Sequence, residues 1–250
     1  MTFVVDIGNT RAKWAHTEGS GLRDIGAVAH ARSEPALLEA VGKGLRPEDR
    51  RIVAANVAGR GFAERLQGLA RDRGLELSLV ETAAERYGVR CAYVDPSRLG
   101  VDRWVGLVAA HRLIGGAACI IDSGTTVTLD AVTEEGRHLG GLIMAGPRMA
   151  AAALQRETGG IGKTLELVSV PSGIELLGRS TDEAVAHGAM LGVAAALDQA
   201  VATVAATLDA PLAVVLTGGG ADALRPWLRI AVSYRPHFIL EGLAWIASAP

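Results

Sequence analysis

Cysteine is scarce and basic charge is in no excess, and each shortage closes a class of function. The 250 residues hold two cysteines, Cys91 and Cys119. Their placement lacks metal-ligand spacing, and Cys119 lies in an apolar run, where a thiol behaves as a small hydrophobe. A reducing cytoplasm fits that usage. Lys and Arg number 25 against 27 Asp and Glu, a net charge of −2. The chain therefore lacks the basic footprint with which proteins meet a nucleic-acid backbone, and DNA binding is disfavoured. No basic-then-apolar leader precedes the first strand and no stretch reaches 18 uncharged apolar residues, so neither secretion nor membrane insertion is expected. No low-complexity tract divides the chain.

What is present is an ordinary soluble composition, 49% hydrophobic and 21% charged, with one motif written twice. Phe3-Val4-Val5 runs into Asp6-Ile7-Gly8-Asn9-Thr10, and Cys119-Ile120-Ile121 runs into Asp122-Ser123-Gly124-Thr125-Thr126. Each reads as a buried strand that delivers a carboxylate into a glycine turn, with hydroxyl and backbone N–H groups just beyond. Such a turn holds a phosphate chain, and its magnesium through the Asp. Two of them facing each other would clamp a nucleotide triphosphate from both sides. Asp, Gly and Thr are also what ordinary turns select, so the argument rests on the repetition. The length accommodates two domains of about 120 residues, and the duplication predicts an α/β lobe over 1–115 and a second over 116–250, joined by a packed hinge near 114–117.

The periodicity predicts strands over 12–16, 25–31, 51–56, 75–80, 117–122, 127–132, 138–144 and 212–217. It predicts helices over 35–45, 62–73, 104–114, 148–157, 182–208 and 238–246. The helix from Asp182 to Leu208 is apolar around its circumference, which predicts burial against a partner subunit, and Thr181 ahead of it reads as its N-cap.

Four further segments carry chemistry. Gly100-Val101-Asp102-Arg103 stands at a helix start. A carboxylate there can simply cap free N–H groups, but beside it Arg103 offers a planar fork for a substrate carboxylate, and Asp102 could accept a hydroxyl proton. Together they describe an acidic, hydroxyl-bearing small molecule. Gly140-Gly141 through Gly146-Pro147 ends a strand and opens a helix whose N-terminus suits phosphate. Thr217-Gly218-Gly219-Gly220-Ala221 lies at the matching point late in the second half, where glycines let an adenine ring approach the backbone. Gly159-Gly160-Ile161-Gly162-Lys163-Thr164 resembles a P-loop, but that loop needs glycine at 157, where Glu157 stands, and a preceding strand where a helix is predicted. It is read as a loop.

Asp6-Ile7-Gly8-Asn9-Thr10, Gly100-Val101-Asp102-Arg103, Asp122-Ser123-Gly124-Thr125, Gly140-Gly141 with Gly146, Thr181 with Glu183 and Gly188, and Glu241-Gly242-Leu243 occur in the order and spacing of type III pantothenate kinases. The resemblance spans nearly the whole chain. It implies two duplicated ribonuclease H-like lobes, the actin/hexokinase-like fold, and ATP-dependent phosphorylation of the pantothenate 4′-hydroxyl in coenzyme A biosynthesis. It implies ATP-phosphate contacts from Asp6, Ile7, Gly8, Asn9, Thr10, Arg11, Ala12, Lys13 and Thr125, with Asp102 as proton acceptor. Pantothenate would meet Tyr93, Gly100, Val101, Asp102 and Arg103, with Thr181 reaching in from the partner of a homodimer. Asp122 would coordinate a monovalent cation, K⁺ or NH4⁺, and Mg²⁺ would accompany ATP. From the residues alone, Tyr93 reads equally as a loop anchor before Pro96. The sequence departs from the family pattern at Ala145-Gly146-Pro147, where Pro-Gly is usual, and at 159–164. The rival readings are a nucleotide-binding regulatory accessory protein without kinase activity, or another small-molecule kinase of the superfamily. The intact Asp6, Asp102, Arg103 and Asp122 set favours catalysis.

Overall fold

In a computed structural model of the chain, residues 1–18, 21–29, 34–158, 173–208 and 210–249 are described. In order, the first elements are β1 (Thr2–Ile7), β2 (Arg11–Glu18), β3 (Gly21–Ala29), α1 (Glu34–Gly44), β4 (Arg51–Asn56), α2 (Arg60–Asp72), β5 (Glu76–Leu79), the short strands β6 (Glu85–Arg86) and β7 (Val89–Arg90), and α3 (Val101–Leu113). They are followed by β8 (Ala118–Ser123), β9 (Thr126–Val132), β10 (His138–Ala145), α4 (Pro147–Glu157), α5 (Thr181–Leu208), β11 (Ala213–Thr217), α6 (Ala221–Leu224), β12 (Ser233–Tyr234) and α7 (Phe238–Ser248).

The chain forms two compact units, Met1–Gly115 with Glu135–His138 and His237–Pro250, and Gly116–Glu134 with Leu139–Pro236. Each carries a five-stranded sheet, in the orders β3-β2-β1-β4-β5 and β10-β9-β8-β11-β12. Numbered within its own unit, each sheet has the same order. The first strand sits at the centre, antiparallel to the second and parallel to the fourth. The repeated Asp-Gly turn thus belongs to a repeated topology.

In unit 1 both faces of β1 are covered, which is why its sequence is a continuous apolar run rather than an alternating one. Phe3, Val5 and Ile7 join a core with Leu37 and Val41 of α1 and Phe62, Leu66 and Ala70 of α2. The four-residue spacing of the α2 set places it on one helical stripe, and burial of each large side chain contributes roughly 1.5–3 kcal/mol. Helices α3 and α7 pack on each other and α7 on β1. A Cβ at Gly242 would come within 2.9 Å of Val105 and Ala109 atoms, so only glycine allows this approach. The contact groups α7 with unit 1, whereas the sequence reading grouped it with the second half. An all-round apolar helix carries no cue to which sheet it will cover.

The core of unit 2 gathers Cys119, Ile121, Val127 and Leu129 against Met190, Val193, Ala194, Leu197 and Val201 of α5. Helix α5 is long and apolar enough to cross a membrane by length and composition alone; in this fold that buried row lies on the sheet. Burial pushes the Cys119 thiol up to about 12, with the charge of buried Asp130 adding to the effect. A protonated thiol is a poor nucleophile. A thiol-specific chromophore at pH 8 is therefore expected to titrate one cysteine, half-buried Cys91, in the native protein and both after denaturation. Two fast equivalents in the native state would show that β8 is not held closed.

Candidate active site

The first Asp turn closes the β1–β2 hairpin. Register pairs Ile7 with Ala12 and Asp6 with Lys13, and the Gly8 N–H donates to the Arg11 carbonyl at 3.0 Å. A Cβ on Gly8 would itself lie 3.0 Å from that oxygen, so a larger residue would push the turn open. Ile7 and Ala12 are buried and hold the hairpin to the core. Asp6, Gly8, Thr10 and Lys13 are half-buried, and Asn9 and Arg11 are exposed. His237 stands at the N-cap position of α7, without a side-chain capping hydrogen bond. It is held below the usual histidine range, first by burial and then by the positive charge of Lys13, with Glu241 opposing. The end of the first strand thus combines Lys13 and a helix N-terminus, which favour anionic groups, with the Asp6 carboxylate, which suits a cation accompanying them.

The second Asp turn is built the same way but is one residue tighter. Asp122 pairs with Thr128, six residues on, where Asp6 pairs with a residue seven on. The Gly124 N–H accordingly closes on the Thr126 carbonyl at 2.9 Å. Two glycine segments press on this turn. Gly146 donates its N–H to the Thr125 carbonyl at 3.1 Å, and a Cβ there would stand 2.6 Å from the same oxygen. Gly218 has φ +97°, and its Cβ would collide with Asp122 Oδ1 and the Ser123 carbonyl. The Gly220 N–H meets the Ser123 carbonyl at 2.7 Å. The glycine triplet read from sequence as an adenine platform therefore has a nearer duty, which is to let β11 turn away directly over Asp122. Gly146 lies just before Pro147, the first residue of α4. The Ala-Gly-Pro departure thus places the proline at a helix start, which its fixed φ suits.

A third cluster surrounds the start of α3, all within unit 1. Gly100 caps the helix, and a Cβ on it would stand 2.6 Å from Asp102 Oδ1. That oxygen accepts the Arg103 N–H at 2.8 Å, so Asp102 does satisfy a first-turn amide. Arg103 is 8% exposed, and it donates from its guanidinium to the Tyr93 hydroxyl at 3.0 Å. Its guanidinium carbon stands 5.8 Å from the Tyr93 ring centre. The structure thus brings Tyr93, Gly100, Asp102 and Arg103 together, with Val101 as the first residue of the helix.

Asp122 and Thr125 share the unit 2 turn, while Thr181 stands apart from it in sequence at the start of α5. Thr181 is helical, and the cap belongs to Ser180, whose hydroxyl accepts the Glu183 N–H at 3.2 Å. The Glu183 carboxylate reaches back to the Arg179 N–H at 2.7 Å. The residues are the Ser-x-x-Glu signature of a capping box, although the glutamate reaches one residue past the cap's own N–H, and the Ser180 bond corrects the assignment of the cap to Thr181. The signal was legible in Ser180-Thr181-Asp182-Glu183. Helix α3 likewise begins at Val101, three residues before the expected start at Trp104. The segment 159–164 lies outside the described residues. Among the described residues no group of three or more His, Cys, Asp or Glu gathers for a metal.

Comparison with known proteins fits this arrangement. Residues 2–203 match the family model of type III pantothenate kinase. The chain is 38% identical to a type III pantothenate kinase of Nitrosococcus oceani, covering 99% of this chain and 94% of that one. It is 33% identical to another from Azoarcus sp., over 100% and 91%. Among solved structures, it resembles the activator of the 2-hydroxyisocaproyl-CoA dehydratase from Clostridium difficile with bound ADPNP. That likeness has a TM-score of 0.56 at 13% identity, over 99% and 94% of the two chains, and concerns the fold alone.

Proposed function

The chain belongs to the type III pantothenate kinase family, and we propose that it transfers the γ-phosphoryl group of ATP to the 4′-hydroxyl of pantothenate, the first step of coenzyme A biosynthesis, in the cytoplasm. The observation that carries this reading is the start of α3, where Asp102 and Arg103 stand on consecutive residues, Arg103 oriented by Tyr93. Pantothenate is a hydroxy acid. The Arg103 fork suits its carboxylate, which a point-like ammonium would not match, and the Asp102 carboxylate can take the proton of its hydroxyl. Thr181 completes this pocket from the partner subunit of a homodimer. We read the two sheets and their helices as duplicated ribonuclease H-like lobes.

The phosphates of ATP fall to the first Asp turn, Asp6 to Lys13, and to Thr125. Phosphoryl transfer asks chiefly for in-line placement and charge neutralisation; Lys13 and the backbone N–H groups of the turns supply part of that. The carboxylates and carbonyls of these turns are hard oxygen donors, the set that Mg²⁺ and alkali cations prefer. Mg²⁺ with ATP, and K⁺ or NH4⁺ at Asp122, would lower the repulsion between carboxylates and triphosphate when bound. The regulatory reading without catalysis is not favoured, because it leaves the paired Asp102 and Arg103 without a purpose.

The test is pantothenate-dependent release of ADP by the purified protein. Turnover is expected with pantothenate and not without it, low in sodium-only buffer and restored by potassium or ammonium. ADP release indifferent to pantothenate would overturn the activity, and an equal rate with all three cations would remove the cation from Asp122.

A further inference from the structure

His138 has no part in the reading above, yet it lies against the substrate cluster. It is the first residue of β10, 2% exposed, and it belongs to the short segment Glu135–His138 that joins unit 1. That segment is pinned to the β6–β7 ribbon. The Arg90 N–H donates to the Gly136 carbonyl at 2.9 Å, Arg137 bridges to Arg90, and Gly136, at φ +79°, lies so close on the Gly88 carbonyl that no Cβ would fit. Pinned this way, the His138 ring is delivered to one place. Its Nδ1 accepts the Ala92 N–H at 3.3 Å, which requires that nitrogen to be unprotonated. Its ring stacks on Tyr93, centres 6.0 Å apart and planes inclined by 20°.

We propose that His138 is a positioning residue for the substrate's carboxylate: by fixing the Tyr93 ring it fixes the hydroxyl that orients the Arg103 guanidinium. The inference rests on the assignment of Arg103 to that carboxylate. Two contacts of the one ring act on the same loop, a hydrogen bond from the Ala92 amide and stacking on Tyr93. Arg103 meets the Tyr93 hydroxyl from within its own buried site. A guanidinium binds a carboxylate through two parallel N–H bonds, and that geometry is lost on a small rotation. A tyrosine ring free to turn would carry its hydroxyl, and with it the anchor of the fork, out of register. His138 therefore acts on substrate affinity through Tyr93 and Arg103, and not on the phosphoryl transfer itself.

Steady-state kinetics on the full-length enzyme test this. Two acceptor substrates are compared: pantothenate, and its alcohol analogue in which CH2OH replaces the carboxylate. His138→Ala is expected to raise KM for pantothenate roughly tenfold, the scale of one lost aromatic contact with its hydrogen bond. It should leave kcat and KM for ATP within about twofold, and KM for the alcohol analogue unchanged. His138→Phe, which keeps the stacking face, should recover more of the pantothenate KM than His138→Asn, which keeps only an acceptor. The inference is overturned by an unchanged KM in His138→Ala, by an equal rise for both acceptors, or by a fall in kcat with KM unmoved. If His138→Ala does not fold, the order of the Phe and Asn variants decides in its place. Arg103→Lys is measured alongside. If it separates the two acceptors while the His138 variants do not, only the positioning role fails; if it too treats them alike, the carboxylate assignment itself is wrong.

Discussion

Asp102→Asn is expected to lower kcat by about 10²–10⁴, the usual contribution of a positioned general base, with little change in thermal stability. The geometry makes the substitution selective. Asp102 Oδ1 accepts the Arg103 N–H at 2.8 Å, and the amide oxygen of asparagine can accept the same bond. Asn is as good as Asp in the capping region of a helix, and the absence of a Cβ on Gly100 leaves equal room for either side chain. What the amide cannot do is take a proton from the attacking hydroxyl. The loss should therefore appear in kcat, with the melting temperature within a few degrees of the parent and KM for pantothenate little altered. Turnover within about threefold of the parent would mean that the proton leaves by another route. Asp102 would then be only a first-turn carboxylate, the bland reading that its sequence position also allows.

Much of this fold was legible because the sequence repeats itself. The apolar run before Asp6 and the one before Asp122 predict buried strands, and both are buried, each lying at the centre of a sheet of the same strand order. What could not be read was geometry that depends on residues far away in the chain. Gly218 and Gly146 announce turns, but that both press on the Asp122 turn follows only from the pairing of β11 with β8 and from the Gly146 bond to Thr125. The α7 assignment failed for the same reason, since an apolar helix fits any uncovered sheet face until Gly242 meets α3.

The site was legible where its chemistry is local. Gly100-Val101-Asp102-Arg103 shows its donor and acceptor within four residues. Tyr93 had two equal readings from sequence, loop anchor and ligand contact; the structure shows its ring stacked on His138 and its hydroxyl bonded to Arg103, which fits the first and leaves the second a proposal. His138 and His237 were not found, because a single histidine in a strand or before a helix carries no spacing signal. Their importance comes from neighbours more than forty positions away for His138, by way of Ala92, and from Lys13 near the opposite terminus for His237. The Ser180 cap is a different kind of miss. Its capping-box pattern was present in four consecutive residues, and the adjacent threonine was the wrong choice between two good capping types.

The assembly offers the test with the most contrast, because two inactive proteins are expected to make an active one. Only Ala186, His187, Met190, Val193, Ala194, Leu197 and Val201 of the 28 residues of α5 are buried in the chain. The rest of the helix keeps an apolar side outward, including Leu191 at 39% exposure, and α4, which packs on α5, adds Met149 and Leu154 at 38% and 44%. An exposed apolar surface of this kind is what the proposed homodimer would cover, and a two-fold pairing is the commonest way to do so. If, as proposed, Thr181 enters the partner's pocket, Thr181→Arg should abolish turnover by placing bulk and charge beside the substrate, as Asp102→Asn does by removing the base. Co-expressed and purified together, the two variants should recover activity, since a mixed dimer holds one pocket with an intact Asp102 and an intact Thr181. Random pairing predicts about one quarter of the parental rate, because half the dimers are mixed and each has one working site. Sedimentation should give a dimer for the parent and for both variants. No recovery in a preparation shown to contain mixed dimers would confine each pocket to a single chain, and a fully active monomer would remove Thr181 from the site altogether.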